Sequence, residues 1–159
     1  MKPVLLATDG SPTAQKATET AIELAHLLDT ELVVVSVWDI PYATVGLAPM
    51  AVTGELALAG RAEAEKAAGE AASRAEEAGV EYRTVVLRGS AVGEICAAAE
   101  TFGARILVIG SHGWGALKRA IFGSVSTGVL HHARCPVLVV PVEHLDGKVV
   151  AEAREEIRA

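Results

Sequence analysis

The sequence predicts a single α/β domain built on an open, parallel, five-stranded sheet that is doubly wound, with helices on both faces. Three observations support this fold class. Short apolar runs alternate with longer segments of helical periodicity along most of the chain. The 159 residues suit one domain better than two. Hydrophobic residues make up 51% of the chain and aromatic residues only 4%, so the core must consist of Ala, Val, Leu and Ile, which suits helices packed on a parallel sheet.

The first part of the chain predicts a strand, a helix and a second strand. A short apolar run over 3–7 predicts the first strand, and a turn follows at 8–10. Ser11 has the residue type of an N-cap, with Pro12 at the first helical position. The apolar run 32–37 predicts the second strand. Between them, residues at helical spacing give the helix one buried face: Ala14, Ala17, Ala21, Leu24 and Leu28.

The middle of the chain predicts a long connection, a helix and a weaker strand. Residues 41–60 carry almost no charge and are interpreted as a connection longer than ordinary βα loops of ~2–6 residues. Residues 61–78, rich in Ala and Glu, predict a helix that Gly79 ends. Charged and apolar residues alternate around the start of 82–87, which indicates an edge strand with one wet face.

The last part continues the alternation of helices and strands. It predicts a helix over 92–100, the most apolar strand over 106–109, a second long connection over 111–122, a helix over 123–132 and a final strand over 136–140. This alternation of strands and helices implies a parallel sheet with right-handed crossovers. Because open α/β sheets bind ligands at the carboxyl ends of their strands, the connection after the fourth strand is the predicted ligand site.

Charge and hydropathy exclude several classes of partner. The net charge of -6 and the pI near 5.4 argue against a general nucleic-acid binder, which needs a basic surface. No apolar stretch approaches the ~20 residues that span a bilayer, and the first residues do not have the pattern of a signal peptide. We therefore expect a cytoplasmic protein with neither a nucleic-acid nor a membrane partner.

The two cysteines, Cys96 and Cys135, lie in apolar contexts far apart in the sequence. They are interpreted as buried, reduced thiols of a cytoplasmic protein. Metal binding and a disulfide are the alternatives.

The segment from Gly110 to Val125 carries the strongest chemical signal. A buried strand ends at Gly110, and Gly113 allows a turn where a Cβ would clash. Gly123 and Ser124 then begin a helix, whose unpaired N–H groups and dipole suit a phosphate. The Ser124 hydroxyl either caps this helix or bonds a phosphate oxygen, and the residues alone leave both roles open.

The glycine spacing resembles that of ATP-binding universal stress proteins. Their motif is G-2x-G-9x-G-S/T. This sequence reproduces it with two residues between Gly110 and Gly113 and nine residues between Gly113 and Gly123-Ser124. The first strand with its turn at 8–11 and the last strand also resemble theirs.

The resemblance extends over nearly the whole chain. It identifies residues 1–142 as a nucleotide-binding domain with the Rossmann-like sheet order 3-2-1-4-5, and leaves 143–159 as a tail that we expect to be partly helical. In that order the first and fourth strands lie side by side at the topological switch point, where the ligand of such sheets binds.

The resemblance also implies which residues contact ATP. Asp9 would contact the adenosine portion, the backbone at Val37 would read the adenine edge, and the glycine loop and helix start would hold ribose and phosphates. The cofactor is ATP, with Mg²⁺ or Mn²⁺ as an option carried on the phosphates, and no catalytic residue or metal ligand is predicted in the chain. The complete predicted set is Ala7, Thr8, Asp9, Val37, Gly110, His112, Gly113, Gly123, Ser124 and Val125.

Three further residues of the same loop have more than one interpretation each. Lys118 and Arg119 either neutralise phosphates or are solvated surface charges. Trp114 either covers the site or an interface, or is a loop tryptophan that packs on a hydrophobic ledge. His112 and Trp114 stand where basic or small residues are frequent in the family, which weakens the expected side-chain help to the phosphates.

Enzyme interpretations find little support in the same residues. The position two before Asp9 is Ala7, which has no oxygen to form the aspartyl phosphate of a haloacid-dehalogenase-type phosphatase. No P-loop or dinucleotide-binding spacing is present either. A regulatory ATP-binding protein acting in stress response is therefore the main hypothesis. A slow ATPase or phosphotransferase is the alternative, and an interaction module that has lost nucleotide binding is a weaker third.

The final strand predicts a homodimer. It is strongly apolar, and the family-like sheet order places it at an edge, where an uncovered strand promotes aggregation. Pairing with its two-fold mate would close that edge. The alternative is a monomer whose tail folds back over the edge through Val149, Val150, Ala153 and Ile157.

Overall fold

The computed structural model describes residues 1–39, 50–112 and 123–141. These residues contain the strands β1 (Val4–Ala7), β2 (Leu32–Trp38), β3 (Tyr82–Arg88), β4 (Ile106–Gly110) and β5 (Val137–Val140). They also contain the helices α1 (Pro12–Leu27), α2 (Met50–Glu77), α3 (Ala91–Thr101) and α4 (Ser124–His132). Gly113, Trp114, Lys118, Arg119 and the tail 143–159 lie outside the described residues.

All strands of the sheet are parallel, in the order β3-β2-β1-β4-β5. The predicted fold class and sheet order are therefore confirmed. The two central registers place Ala7 opposite Val35 on one side and opposite Ile109 on the other. β3 and β5 are the edge strands, as predicted, and the first residues of β3 are solvent-exposed.

Two layers of small and branched side chains fill the space above and below the sheet. On one face, Leu6 and Val34 pack with alanines of α1 and α2. On the other, Leu5 and Val33 pack with α3 and with Val129 of α4. The central strands are buried on both faces, which explains why their sequences are continuous apolar runs rather than alternating ones.

The start of α1 is fixed by its own sequence. Ser11 is the N-cap, and its Oγ accepts a hydrogen bond from the Ala14 amide at 3.3 Å, while Pro12 occupies the first helical position. Gly10, just before the cap, has φ +74°, and an added Cβ would lie 3.2 Å from Cβ of Ala67 in α2. The predicted start of this helix is confirmed, and glycine is required at position 10 for both reasons.

Two predictions are corrected. Helix α2 begins at Met50 and not at Arg61, so much of the predicted connection 41–60 is helical. Its early turns are rich in Ala and Leu, whose helix propensity outweighs the cost of Gly54 and Gly60, at about 1 kcal/mol each. The two cysteines, predicted to be buried, are half-buried. Within the described ranges, no helix is both long and apolar enough to cross a membrane.

Candidate functional site

The candidate site lies at the carboxyl edge of the sheet, between β1 and β4. These strands are adjacent, and their registers end together, with Ala7 opposite Ile109. From β1 the chain continues through α1 on one face, and from β4 it continues to α4 on the other. The residues that follow the two strands therefore leave the sheet side by side at the topological switch point, where this architecture binds ligands.

The turn after β1 holds Asp9 at the rim of this site. Oδ1 of Asp9 accepts a hydrogen bond from the Ser11 amide at 3.0 Å, and Oγ1 of Thr8 accepts one from the Gly10 amide at 3.2 Å. The Thr8 amide donates to the carbonyl oxygen of Val35 at 2.9 Å, which ties the turn to β2. Asp9 is exposed and Thr8 is buried, so the Asp9 carboxylate faces solvent. The hydrogen bonds within the turn fix the backbone that carries it.

Gly110, at the end of β4, has a structural reason to be glycine. An added Cβ would lie 2.9 Å from Cγ2 of Thr13 and 3.1 Å from the Thr13 carbonyl carbon and oxygen. The first turn of α1 therefore lies directly against the end of β4. Packing alone explains this glycine, and it also brings the Asp9 turn close to the connection after β4.

Ser111 and Ser126 join the end of β4 to the start of α4. The carbonyl oxygen of Ser111 accepts hydrogen bonds from the Gly123 amide at 2.6 Å and from Oγ of Ser126 at 2.9 Å. Oγ of Ser126 also contacts the Gly123 carbonyl oxygen at 3.0 Å. An added Cβ on Gly123 would lie 3.3 Å from the Ser111 carbonyl oxygen and 3.4 Å from Cα of His112.

Ser111 and Ser126 were missed by the sequence reasoning, although each is only 2% exposed. The available signal was their position: one serine follows β4 directly, and the other lies in the first turn of the last helix. Small hydroxyl residues at such junctions commonly satisfy backbone groups.

The backbone N–H groups in the first turn of α4 point along the helix axis, past its N-terminus. Gly123 is the N-cap and makes no side-chain cap bond, so Ser124 is the first helical residue and its capping interpretation is wrong. The amides of Ser124, Val125 and Ser126 have no partner within the helix, because the first N–H groups of any α-helix lack one. Together with the positive end of the helix dipole they can bind an anion. Ser124 is exposed, and Val125 is half-buried against the α3/α4 core.

Val37 and His112 flank the site. The Val35 carbonyl points towards β1, so the Val37 carbonyl, two residues on, points to the same side, beyond the end of β1. Nδ1 of His112 lies 3.0 Å from Oγ of Ser111. Ala7 is 4% exposed, so it contributes backbone and shape rather than an open contact surface.

The predicted site residues fall into three groups. β1 and its turn carry the first group, and β2 carries Val37. The remaining group lies in β4 and α4 or beside them: Gly110, His112, Gly123, Ser124 and Val125. The structure brings the β1 group and the group of β4 and α4 to one edge of the sheet, whereas Gly113 lies outside the described residues. Within the ranges that the structure describes, no three His, Cys, Asp or Glu side chains are grouped so as to hold a metal ion.

Comparison with known proteins identifies close relatives. The model of the universal stress protein family matches residues 1–141. Universal stress protein MJ0531 of Methanocaldococcus jannaschii is 34% identical over 140 residues, which cover 87% of this chain and 81% of that protein. Universal stress protein YxiE of Bacillus subtilis is 32% identical over 143 residues, covering 86% of this chain and 97% of the relative.

Solved structures agree with this match. The structure of the Methanocaldococcus jannaschii protein MJ0577 superposes with a TM-score of 0.80 at 29% identity, covering 90% of this chain and 97% of that one. The universal stress protein of Archaeoglobus fulgidus in complex with dAMP superposes with a TM-score of 0.64 at 25% identity, covering 88% of this chain and 98% of that one.

Proposed function

Because this chain belongs to the universal stress protein family, we propose that it is a regulatory ATP-binding protein that acts in stress response through nucleotide-dependent conformation or partner binding. The observation that carries the proposal is the first turn of α4, whose amides are uncapped by any side chain and held against the end of β4. The dAMP complex of the Archaeoglobus fulgidus relative supports an adenine nucleotide as the ligand.

The proposed binding mode divides the nucleotide between the two sides of the switch point. The amides of Ser124 and Val125, with the helix dipole, hold the phosphates. Asp9 contacts the adenosine portion from the opposite rim, and the Val37 backbone reads the adenine edge. Since the chain carries a net charge of -6, attraction to the phosphates must be local rather than global.

A divalent cation, Mg²⁺ or Mn²⁺, is proposed only as a companion of the phosphates. The Asp9 carboxylate already accepts a backbone hydrogen bond, and the described residues provide no cluster of ligands beside it. The cation would therefore take its ligands mainly from phosphate oxygens and water.

The direct test is calorimetric titration of the purified protein with ATP, together with identification of any nucleotide that co-purifies. We expect saturable binding of one ATP per chain. A protein that neither co-purifies with nucleotide nor binds ATP at millimolar concentration would contradict the proposal and favour an interaction module.

We predict that the site prefers ATP to GTP. If the backbone at Val37 reads the adenine edge, guanine leaves at least one buried hydrogen-bonding group mispaired. Such a loss costs about 1–3 kcal/mol, which corresponds to roughly 5- to 150-fold in affinity. Parallel titrations with ATP and GTP measure the ratio, and equal affinities would mean that the pocket holds only phosphates.

We also predict that hydrolysis is slow. Ala7 stands where an aspartyl-phosphate nucleophile would be needed, and the described residues place no carboxylate cluster around Asp9. Turnover should remain well below ~1 s⁻¹, the lower end of ordinary enzyme rates. Phosphate release at saturating ATP is the measurement, with Asp9→Asn as the control variant. Several turnovers per second that vanish in Asp9→Asn would replace the regulatory proposal with an ATPase.

The protein is further proposed to form a homodimer through β5. This strand lies at the edge of the sheet, and its outer side pairs with no other strand among the described residues. Val137, Leu138 and Val139 are only half-buried, so both faces near this edge retain apolar surface. Pro141 lacks an N–H group, so pairing with the two-fold mate should centre before it.

Light scattering at tens of micromolar protein tests this prediction, and a mass of two chains is expected. The truncation after Val142 separates the two explanations of how the edge is protected. If the tail is an appendage, the truncated protein stays dimeric. A full-length monomer whose truncation dimerises or aggregates would show instead that the tail shields β5.

A further inference from the structure

Cys96 and Cys135 are far apart in the sequence but lie on the same face of the sheet in the fold. Cys96 lies in the middle of α3, and Cys135 lies just before β5. Both are unpaired and half-buried, and both pack against the core cluster on the α3/α4 face of the sheet. The function proposed above uses neither of them.

An ion pair fixes the neighbourhood of the two thiols. Nε of Arg134 lies 3.4 Å from Oε1 of Glu100. Glu100 is four residues after Cys96 on α3, so the two share one face of that helix. Arg134 directly precedes Cys135. The segment before β5 therefore lies near the turn of α3 that follows Cys96.

The pKa shifts of the two thiols agree with this placement. Burial is the main cause that raises the pKa of the Cys96 thiol, and the charge of Cys135 is the next largest, ahead of Glu100. Burial also raises the pKa of Cys135, while backbone amides, including that of Leu107, lower it in part. An electrostatic effect of Cys135 on Cys96 is consistent with their position against the same core cluster, because Coulomb interactions fall with distance.

We propose that Cys96 and Cys135 are a modification site: a reversible intramolecular disulfide that forms under oxidation by a peroxide. One thiolate attacks a peroxide oxygen, the O–O bond breaks, and a sulfenic acid and water result. The second thiolate then attacks the sulfenic sulfur, forming the S–S bond and releasing a second water. In total, two thiols and hydrogen peroxide give one disulfide and two waters.

The cross-link would enclose the part of the chain that carries the proposed phosphate site. The chain between the two cysteines contains β4, the connection after it and α4, which is the part that carries the proposed phosphate site. The disulfide would close this whole segment into a covalent loop. It would lie within the core layer on the α3/α4 face, against the same cluster on which Val37 and Val125 of the proposed site also pack.

The raised pKa values set the conditions for the reaction. The thiolate is the reactive form, and both thiols have a pKa above the ordinary 9.0. Of the charged groups beside the pair, Glu100 contributes to the raised pKa of Cys96 although it pairs with Arg134. Between about pH 7 and 9 the thiolate fraction, and with it the oxidation rate, should rise close to tenfold per pH unit. At neutral pH the disulfide should therefore form slowly, under sustained rather than brief oxidation.

The experiment treats the full chain with hydrogen peroxide and follows free thiols, intact mass and mobility on a non-reducing gel. We expect both thiols to disappear together, with a mass loss of two hydrogen atoms, a faster-migrating monomer and full reversal by dithiothreitol. Cys96→Ser and Cys135→Ser should each abolish the fast monomer. Persistence of two free thiols, or cross-links only between chains, would overturn the proposal.

A matched control relocates the thiol without changing its number. Ala97 is the exposed neighbour of Cys96 on α3, so the double variant Cys96→Ser, Ala97→Cys turns the sulfur by about 100° around the helix axis, from a half-buried to an exposed position. It should form the intramolecular disulfide at least tenfold more slowly. An equal rate would mean that general flexibility, not this arrangement, produces the cross-link.

Thermal unfolding supplies a second readout. A disulfide that fits the native geometry restricts the unfolded chain, so the oxidised protein should have a Tm higher by about 5 °C or more. A lower Tm after oxidation would mean that the two sulfur atoms meet only in a distorted state, and the proposal would fail. Neither readout depends on ATP binding, so its outcome is separate from that of the proposed function.

Discussion

Replacing Gly123 by Val should weaken ATP binding by about 10- to 150-fold. The added side chain meets close neighbours, because its Cβ would lie 3.3 Å from the Ser111 carbonyl oxygen and 3.4 Å from Cα of His112. We expect the first turn of α4 to shift away from β4 to admit it, which moves the proposed phosphate-binding amides. Loss of one hydrogen bond to a charged group costs about 1.5–3 kcal/mol, which gives the stated range.

Calorimetry with ATP measures this effect, and two variants in the same helix act as controls. Thr127→Val changes an exposed side chain one turn further along and should leave affinity unchanged, since the Thr127 amide already bonds the Gly123 carbonyl oxygen. Ser124→Ala removes the hydroxyl but keeps the amide, so a loss of only about 2- to 12-fold is expected. Unchanged affinity in a folded Gly123→Val protein would contradict the assignment of the site.

Replacing Gly110 by Ala should destabilise the fold by about 1–3 kcal/mol even without nucleotide. The new methyl group would lie 2.9–3.1 Å from atoms of Thr13, two of which belong to the backbone and cannot rotate away. Overpacking of this kind typically costs that amount. The Tm should fall by roughly 2–12 °C, and urea unfolding should show a lower midpoint with an unchanged slope.

The same substitution at another glycine, Gly69→Ala, should raise the stability of the fold instead of lowering it. Gly69 lies in the exposed part of α2, and nothing lies within 4 Å of its added Cβ. Alanine should therefore raise stability by about 0.5–1 kcal/mol through helix propensity alone. If both substitutions had the same small effect, the close contact between β4 and α1 would not be a constraint on the fold.

Local signals in the sequence were sufficient to predict the main elements, since they agree with tertiary packing in most of the chain, whereas the sheet order came from the resemblance to the family. Ser11 and Pro12 at the start of α1 are an example: cap chemistry and a buried alanine face indicate the same helix. The start of α2 could not be located in this way. Leu56 and Leu58 are exposed there, so no buried stripe marks these turns as helical.

The candidate site could be predicted only in part. Gly110 was singled out because it ends a short apolar strand, and Gly123 because it precedes a helix and fits the family's glycine spacing. Their surroundings differ: a Cβ at Gly110 would lie 2.9 Å from Thr13, whereas one at Gly123 would lie 3.3 Å from Ser111, which is tight but does not exclude a side chain. The bonds of Ser126 to two carbonyls depend on how β4 and α4 meet in space, and no local pattern reveals such a meeting.

The hydrogen bonds of Ser111 would couple the proposed phosphate site to the edge of the sheet at β5. Its amide bonds the Val140 carbonyl oxygen of β5 at 2.8 Å, while its own carbonyl holds the start of α4. One residue thus connects the proposed subunit edge with the proposed phosphate site. If nucleotide strengthens the association of two chains by some factor, association must strengthen nucleotide binding by the same factor, because coupling free energy is reciprocal. The ATP concentration in the cell would then set the fraction of paired chains, and the concentration of the protein itself would tune its apparent affinity for ATP.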